Sequence, residues 1–166
     1  TFYNSNRNPD GIRIANGHAT FKRTDTPRYV SISDPIADLN EESFSIEFWM
    51  RPDDLAHATV LGIYPETDLR AKTHLNVVEI VANTFLIHAP GAIRFLHRNP
   101  PEADVKAGIN IFSSGICTPL QWQHVVVVKD SESLQMYYNG ELARRVAATD
   151  TNGPGAFMIL VGQLKP

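Results

Sequence analysis

Trp122-Gln123-His124-Val125-Val126-Val127-Val128-Lys129-Asp130-Ser131-Glu132-Ser133-Leu134-Gln135-Met136-Tyr137-Tyr138-Asn139-Gly140-Glu141 is the stretch on which the fold turns. Its first part is rich in β-branched valine, which suits a central strand. Asp130 to Ser133 is polar and turn-like. Alternation resumes from Leu134 to Tyr138. Asn139-Gly140 then precedes a further run, Glu141 to Val146. Asn-Gly between alternating runs is a strong hairpin signal, because both central residues of a type I′ turn need positive φ. The reading is three consecutive antiparallel strands.

Working outward, Phe44-Ser45-Ile46-Glu47-Phe48-Trp49-Met50-Arg51 has apolar residues at every even position. A period of two marks a half-buried strand, and Pro52 ends it because proline cannot donate to a ladder. A second Asn-Gly, Asn16-Gly17, joins Ile12–Ile14 to Ala19–Phe21 as an N-terminal hairpin. Further strands are expected at Arg28–Ser33, Thr59–Tyr64, His74–Val81, Phe85–His88, Ile93–His97, Ile109–Phe112 and Phe157–Val161. The helical hint is Ile36 to Glu42, enough for one turn. Many short strands separated by turns define an all-β sandwich or barrel. Neither a fixed-period repeat nor a linker divides the chain, so residues 1–166 read as one domain.

Composition narrows the function. The 166 residues are 43% hydrophobic and 20% charged, ordinary for a folded domain. The net charge is −3 and the pI about 6.0. With no basic run longer than two residues, such as Arg144-Arg145, nucleic-acid binding is not expected, since it needs clustered cations. No apolar run approaches the ~18 residues of a membrane span. The single cysteine, Cys117, excludes an internal disulfide and sits between apolar neighbours, so it reads as a buried structural thiol. The histidines form no His-x-His or His-x-x-x-His pair, and a zinc site is not expected. There is no initiator Met and no Asn-x-Ser/Thr sequon. The start at Thr1 reads as an excised or processed product.

Several segments resemble laminin G-like modules, the concanavalin A-like jelly rolls. FSIEFWMRPD at 44–53 resembles their Phe-Thr-x-x-x-Trp-x-x-Pro-Asp strand. WQHVVVVKDSESLQMYYNGE at 122–141 resembles their Trp-x-His to Tyr-x-Asn-Gly meander. RYVSISD at 28–34 and FMILVGQ at 157–163 resemble an earlier and a later strand. The resemblance spans roughly Phe21 to Leu164 and implies an antiparallel jelly-roll sandwich. Members usually close with a further strand that nothing here matches. The expectation is therefore that the last strand lies outside this sequence, leaving an unpaired edge.

Enzymes of this superfamily include retaining glycosidases, which place carboxylates on one strand face about 5 Å apart. Glu42 and Glu47 come nearest. They lack a central Asp, Phe44 standing there, and a separation of five would put them on opposite faces. A divergent glycoside hydrolase or lyase is therefore the weaker alternative. The resemblance also implies a calcium ion at one rim, held by Asp68 with Asp150 or Asn152 and a carbonyl near Ala82 or Asn83. Calcium accepts such mixed oxygen sets, although Asp and Asn favour turns for their own reasons. His124 is, by resemblance, a packing position.

For a ligand, strand parity puts Trp49 and Tyr137 on the face opposite the apolar rows. They are the candidates to line a binding surface, but Trp49 is expected to pack under a long loop such as Pro65–Thr73 or Arg98–Lys106. The expected role, by resemblance, is non-catalytic binding or adhesion within a larger secreted, periplasmic or envelope protein. The ligand would be a glycan or a protein surface. A structural spacer without ligand is the remaining alternative.

Overall fold

The structure, a computed structural model, describes residues 2–4, 12–22, 29–36, 43–66, 75–82, 90–98, 108–149 and 156–162, with backbone alone at 2–4, 12–15 and 32–36. All of its regular elements are strands: β1 (Phe2–Asn4), β2 (Ile12–Ala15), β3 (His18–Phe21), β4 (Val30–Ile36), β5 (Phe44–Met50), β6 (Ala58–Pro65), β7 (Asn76–Ile80), β8 (Ala92–His97), β9 (Ile109–Ile116), β10 (Gln123–Lys129), β11 (Ser133–Tyr138), β12 (Glu141–Ala147) and β13 (Phe157–Val161). Among the described residues no helix is long and apolar enough to cross a membrane.

The strands form a seven-stranded sheet, β1-β4-β13-β6-β7-β8-β9, and a four-stranded sheet, β12-β11-β10-β5. All pairs are antiparallel. β2 and β3 make a separate hairpin. The all-β sandwich expected from the alternation is thus observed. β10–β11–β12 is the expected meander, with Asn139 (φ 51°) and Gly140 (φ 86°) at its tight turn. Asn16 (φ 53°) and Gly17 (φ 78°) do the same for β2–β3.

The meander and β5 show how sequence becomes packing. β10 alternates buried and half-buried residues along its length. Val125 and Val127 are fully enclosed and meet Leu134 and Met136 of β11 and Val78, Ile80, Ile93, Phe95 and Ile111 of the facing sheet. Each such side chain contributes about 1.5–3 kcal/mol by leaving water. A second cluster, Leu61, Ile63, Leu75 and Phe157, lies under Phe44 and Ile46 of β5. A bulge between Met136 and Tyr137 shifts the β11–β12 register, so Ala143 and Val146, three apart, both pack on the core.

Some expectations shift. β4 begins at Val30 and runs through Ile36, so Ile36 closes a strand; the rest of the helical hint, residues 37–42, lies outside the described residues. So does the expected strand at 85–88. β1 had no signal in the sequence.

Candidate functional site

The outer faces of the two sheets differ. On the seven-stranded sheet the outward residues are enclosed: Tyr64, Val77, Leu96 and Leu160 are at most 3% exposed. Tyr64 folds its ring over Gly62, where a Cβ would meet it at 2.7 Å. Gly108 lies against Leu96 in the same way, at 2.8 Å. Even the polar row on this face is largely enclosed, with Thr59 and Glu79 buried and Arg94 half-buried. Thr59, Glu79 and Arg94 stand side by side across β6, β7 and β8. The Glu79 carboxylate pairs with Arg94 Nη1, Arg94 Nε donates to Asn110 Oδ1 at 2.6 Å, and His57 Nε2 approaches Glu79 at 3.6 Å.

The outer face of the four-stranded sheet is open. Trp49 is 62% exposed and Trp122 50%, and these are both of the chain's tryptophans. Tryptophan is highly buried on average, so two exposed ones at one end of one face are informative. Trp49 stands opposite His124 in the β5–β10 register. Their rings stack with centroids 4.8 Å apart and planes at 27°. His124 Nε2 also lies 2.8 Å from Glu47 Oε1, whose side chain is 65% exposed. Trp122 precedes β10 on the same side as His124 by alternation. Its indole makes a T-shaped contact with the His18 ring of the β2–β3 hairpin, centroids 5.7 Å apart and planes at 76°.

The loop that carries Trp122 is tied down by polar contacts. Gln123, 2% exposed, donates from Nε2 to Thr118 O (2.8 Å) and Gln121 O (3.1 Å) and accepts from Thr118 N. Tyr138 OH bonds to the same amide oxygen. Arg51 Nε donates to Leu120 O at 3.0 Å, and Leu120 N donates to Pro52 O. Leu120 takes a left-handed φ of 62° and is 59% exposed. A β-carbon resists that conformation, and the side chain gains little by burial. An exposed leucine held there adds apolar surface to the same end of the face.

Tyr137 shares this face. Its hydroxyl donates to Gln135 Oε1 at 2.9 Å. It stands opposite Val126 and Leu142, and Leu142 is 53% exposed. Trp49 and Tyr137 are separated by β10, roughly 10 Å across the strands and ~7 Å along them.

The sequence candidates therefore fare differently. Trp49 and Tyr137 do fall on one outward face, as parity required. The expected packing of Trp49 under a loop is wrong: its partner is the His124 ring. The reason is geometric, since an indole opposite an imidazole can stack across one strand spacing and need no other cover. His124 does pack, but on the outer face and with Glu47 beside it. That contact was missed because it depends on register: once Phe48 is set opposite Val125, Trp49 stands opposite His124 and Glu47 becomes the diagonal neighbour of His124. Cys117 is buried, and burial pushes its thiol up to about 11. Asp68, Asn83, Asp150, Asn152 and Glu42 lie outside the described residues, so the calcium set and the Glu42–Glu47 pair have no geometry to report. Among the described residues no three His, Cys, Asp or Glu side chains gather to hold a metal ion. Glu47 and Glu79 point out of opposite sheets and cannot act together as paired carboxylates.

Two antiparallel sheets packed face to face, one enclosed outside and one open with exposed tryptophans, define a lectin-like β-sandwich. The sequence pattern of the Laminin_G_3 family, concanavalin A-like lectin/glucanases superfamily, matches residues 24–164. The chain belongs to that family. A comparison with curated proteins by sequence gives no match. Among solved structures, a heptameric SAP-like pentraxin from Limulus polyphemus is similar, with a TM-score of 0.62, 10% identity, and coverage of 87% of this chain and 61% of that one. The botulinum neurotoxin serotype D binding domain gives 0.63 and 12%, covering 100% of this chain and 39% of that one. Carbohydrate-binding module CBM66 from Bacillus subtilis gives 0.54 and 12%, covering 98% and 91%. The chain thus spans under two thirds of the first two and nearly all of the third.

Proposed function

We propose that this domain is a non-catalytic binding module for glycans, with the outer face of the four-stranded sheet as its binding surface. The single observation that carries the reading is the exposure of both tryptophans, 62% and 50%, at one end of that face. An indole offers a flat apolar surface to the C–H face of a sugar ring and loses little entropy on binding. Glu47 beside it supplies hydroxyl acceptors, and Arg51, two residues along on the same side, supplies donors. A saccharide needs both. The carbohydrate-binding module among the similar structures supports the reading at the level of fold.

By the same reasoning the domain serves within a larger secreted, periplasmic or envelope protein. Such a protein meets glycans, and one buried cysteine is compatible with that setting. Calcium at a rim belongs to the proposal as a variable to be tested. A glycan array run with calcium and with EDTA, on wild type and on Trp49→Ala and Trp122→Ala, decides it. Binding to a defined glycan set that both substitutions abolish is expected. Retention of that binding in both variants, or no binding to any glycan, sinks the proposal. A difference between the calcium and EDTA arms decides whether the rim ion takes part.

A further inference from the structure

Two Asn-Gly turns of the same local form are held in different ways. Asn16 (φ 53°) and Gly17 (φ 78°) join β2 to β3, and Asn139 (φ 51°) and Gly140 (φ 86°) join β11 to β12. A third pair, Asn152-Gly153, lies outside the described residues. Asparagine before glycine is open to a reaction of its own, because glycine has no side chain to shield its N–H. The glycine backbone N attacks Cγ of the asparagine. The new N–Cγ bond closes a succinimide ring and the bond from Cγ to the side-chain nitrogen breaks. That nitrogen leaves as ammonia, taking up the proton that the backbone N gives up. Water then opens the ring. Addition at Cγ gives aspartate, and addition at the backbone carbonyl gives isoaspartate, which has an extra carbon in the main chain. Either product carries a new negative charge.

Asn139 is tied across to β10. Its Oδ1 accepts from the backbone N–H of His124 at 2.9 Å, and its own N–H donates to His124 O at 2.8 Å. Turning Cγ onto the Gly140 nitrogen breaks the first of these bonds. The turn also belongs to the four-stranded sheet, where Leu134 and Met136 are fully enclosed in the core. Asn16 has a weaker hold. It is exposed, and its contact with His18 Nδ1, at 3.3 Å, uses the backbone oxygen and leaves the side chain free to turn. β2 and β3 form a two-stranded sheet, and along β3 His18, Ala19 and Thr20 are exposed while Phe21 is half-buried. A lone hairpin is marginally stable, and its local opening populates the conformations that the attack needs. We propose that Asn16 is a site of spontaneous deamidation, that Asn139 is spared, and that conversion at Asn16 releases the hairpin from Trp122. The link is His18, whose ring meets the Trp122 indole. The tight turn sets His18 opposite Ala15, and the extra backbone carbon of isoaspartate does not fit a two-residue turn.

The test is incubation of the protein at pH 8, sampled over time and mapped by peptide mass spectrometry with fragmentation that distinguishes isoaspartate. The urea-unfolded chain is the reference, in which Asn16 and Asn139 should convert at similar rates. In the folded protein Asn16 should convert faster than Asn139 by roughly tenfold or more, as the difference in local opening requires. The converted protein should exchange its backbone amides faster at His18–Phe21, with Val125–Val128 unchanged. Its indole fluorescence should move toward that of fresh His18→Ala. Asn16→Gly, which keeps a turn-forming residue and removes the amide, should hold both signals constant through the incubation. Conversion of Asn139 as fast as Asn16 in the folded protein overturns the proposal, as does an intact Asn16 when the unfolded reference has converted. Converted protein with the exchange and fluorescence of fresh protein, or the same drift in Asn16→Gly, overturns it as well.

Discussion

Trp49 and His124 face each other across β5 and β10, their rings stacked at 4.8 Å on the open outer face of the four-stranded sheet. The stack turns one indole face toward β10 and the other away from it, past the edge of β5. His124 therefore acts as a backstop that holds the ring upright, and Glu47 fixes the imidazole from the side. A ring held in place before the ligand arrives costs less to immobilise on binding. Trp49→Ala should abolish glycan binding while lowering stability by no more than about 1.5 kcal/mol, the range of an aromatic pair. Parallel urea denaturation and binding isotherms separate the two effects. A large stability loss would make Trp49 a packing residue.

His124→Ala tests the backstop itself. Trp49 stays in place chemically but loses its stacking partner. Binding should weaken by roughly tenfold, the ~1.4 kcal/mol equivalent of one aromatic contact. His124→Phe, which preserves a ring, should restore most of it. Calorimetric titration with a glycan that binds wild type reads both. Equal affinity of His124→Ala and wild type removes any positioning role.

The enclosed face makes a different prediction. Glu79 and Arg94 have side chains 5% and 15% exposed and are paired. Removing one partner of a buried pair leaves the other charge uncompensated, at a cost of about 3–5 kcal/mol. Glu79→Ala should lose stability in that range with no specific effect on glycan binding. Because the small sheet's outer face is on the far side of the core, any change in binding should track the unfolded fraction. Chemical denaturation with binding measured below the transition checks this.

How far this was legible in the sequence depends on what each feature requires. Alternation along Phe44–Met50 and two Asn-Gly turns revealed strands and hairpins because those are local properties of side-chain parity and φ. Parity also put Trp49 and Tyr137 on one face. The meander's spacing, matched to a family pattern, supplied the sandwich. What escaped was set by register and by cover. The Glu47–His124 contact, 77 residues apart in sequence, exists only once β5 and β10 are aligned. The enclosure of Val77 and Leu96 depends on what lies over the larger sheet, and the openness of Trp49 on what does not. Trp122 drew no site reading from the one-dimensional pattern; it precedes β10, at the end of a loop that the Gln123 amide ties down, and is half exposed.

The Asp130 turn gives a pH signature. The backbone N–H of Glu132 is the main reason its carboxyl is held below the ordinary carboxylate range, with Ser133 and Gln135 adding hydrogen bonds. A depressed folded value means the ionised form is favoured by folding. Its contribution is complete above the unfolded value of about 4 and disappears as pH falls through the lower folded value. Asp130→Asn should therefore lower Tm at pH 7 and flatten the acid limb of the Tm–pH profile. Because the group lies near the surface, the effect should be modest. An acid limb unchanged by the substitution would falsify the assignment.

Cys117 supplies the opposite sign on the alkaline side. The thiol is 1% exposed within the core cluster of Val78, Phe95 and Val127. Burial raises its ionisation to about 11, against which its backbone hydrogen bond works only weakly. The thiolate is the reactive form, so at pH 8 the folded protein should resist alkylation twice over, by access and by protonation. Folding favours the neutral thiol, so this contribution to stability is whole below the ordinary thiol value of about 8.5. It is lost progressively as pH rises toward 11. Iodoacetamide labelling at pH 8 should therefore track the unfolded population across a urea titration, with labelling rate and ellipticity sharing one midpoint. Rapid labelling well below that midpoint would mean that the β9–β10 connection, which carries Cys117, Leu120 and Trp122, opens separately from the core. The Trp122 end of the binding face would then be formed only part of the time, and glycan affinity should rise when that connection is stabilised.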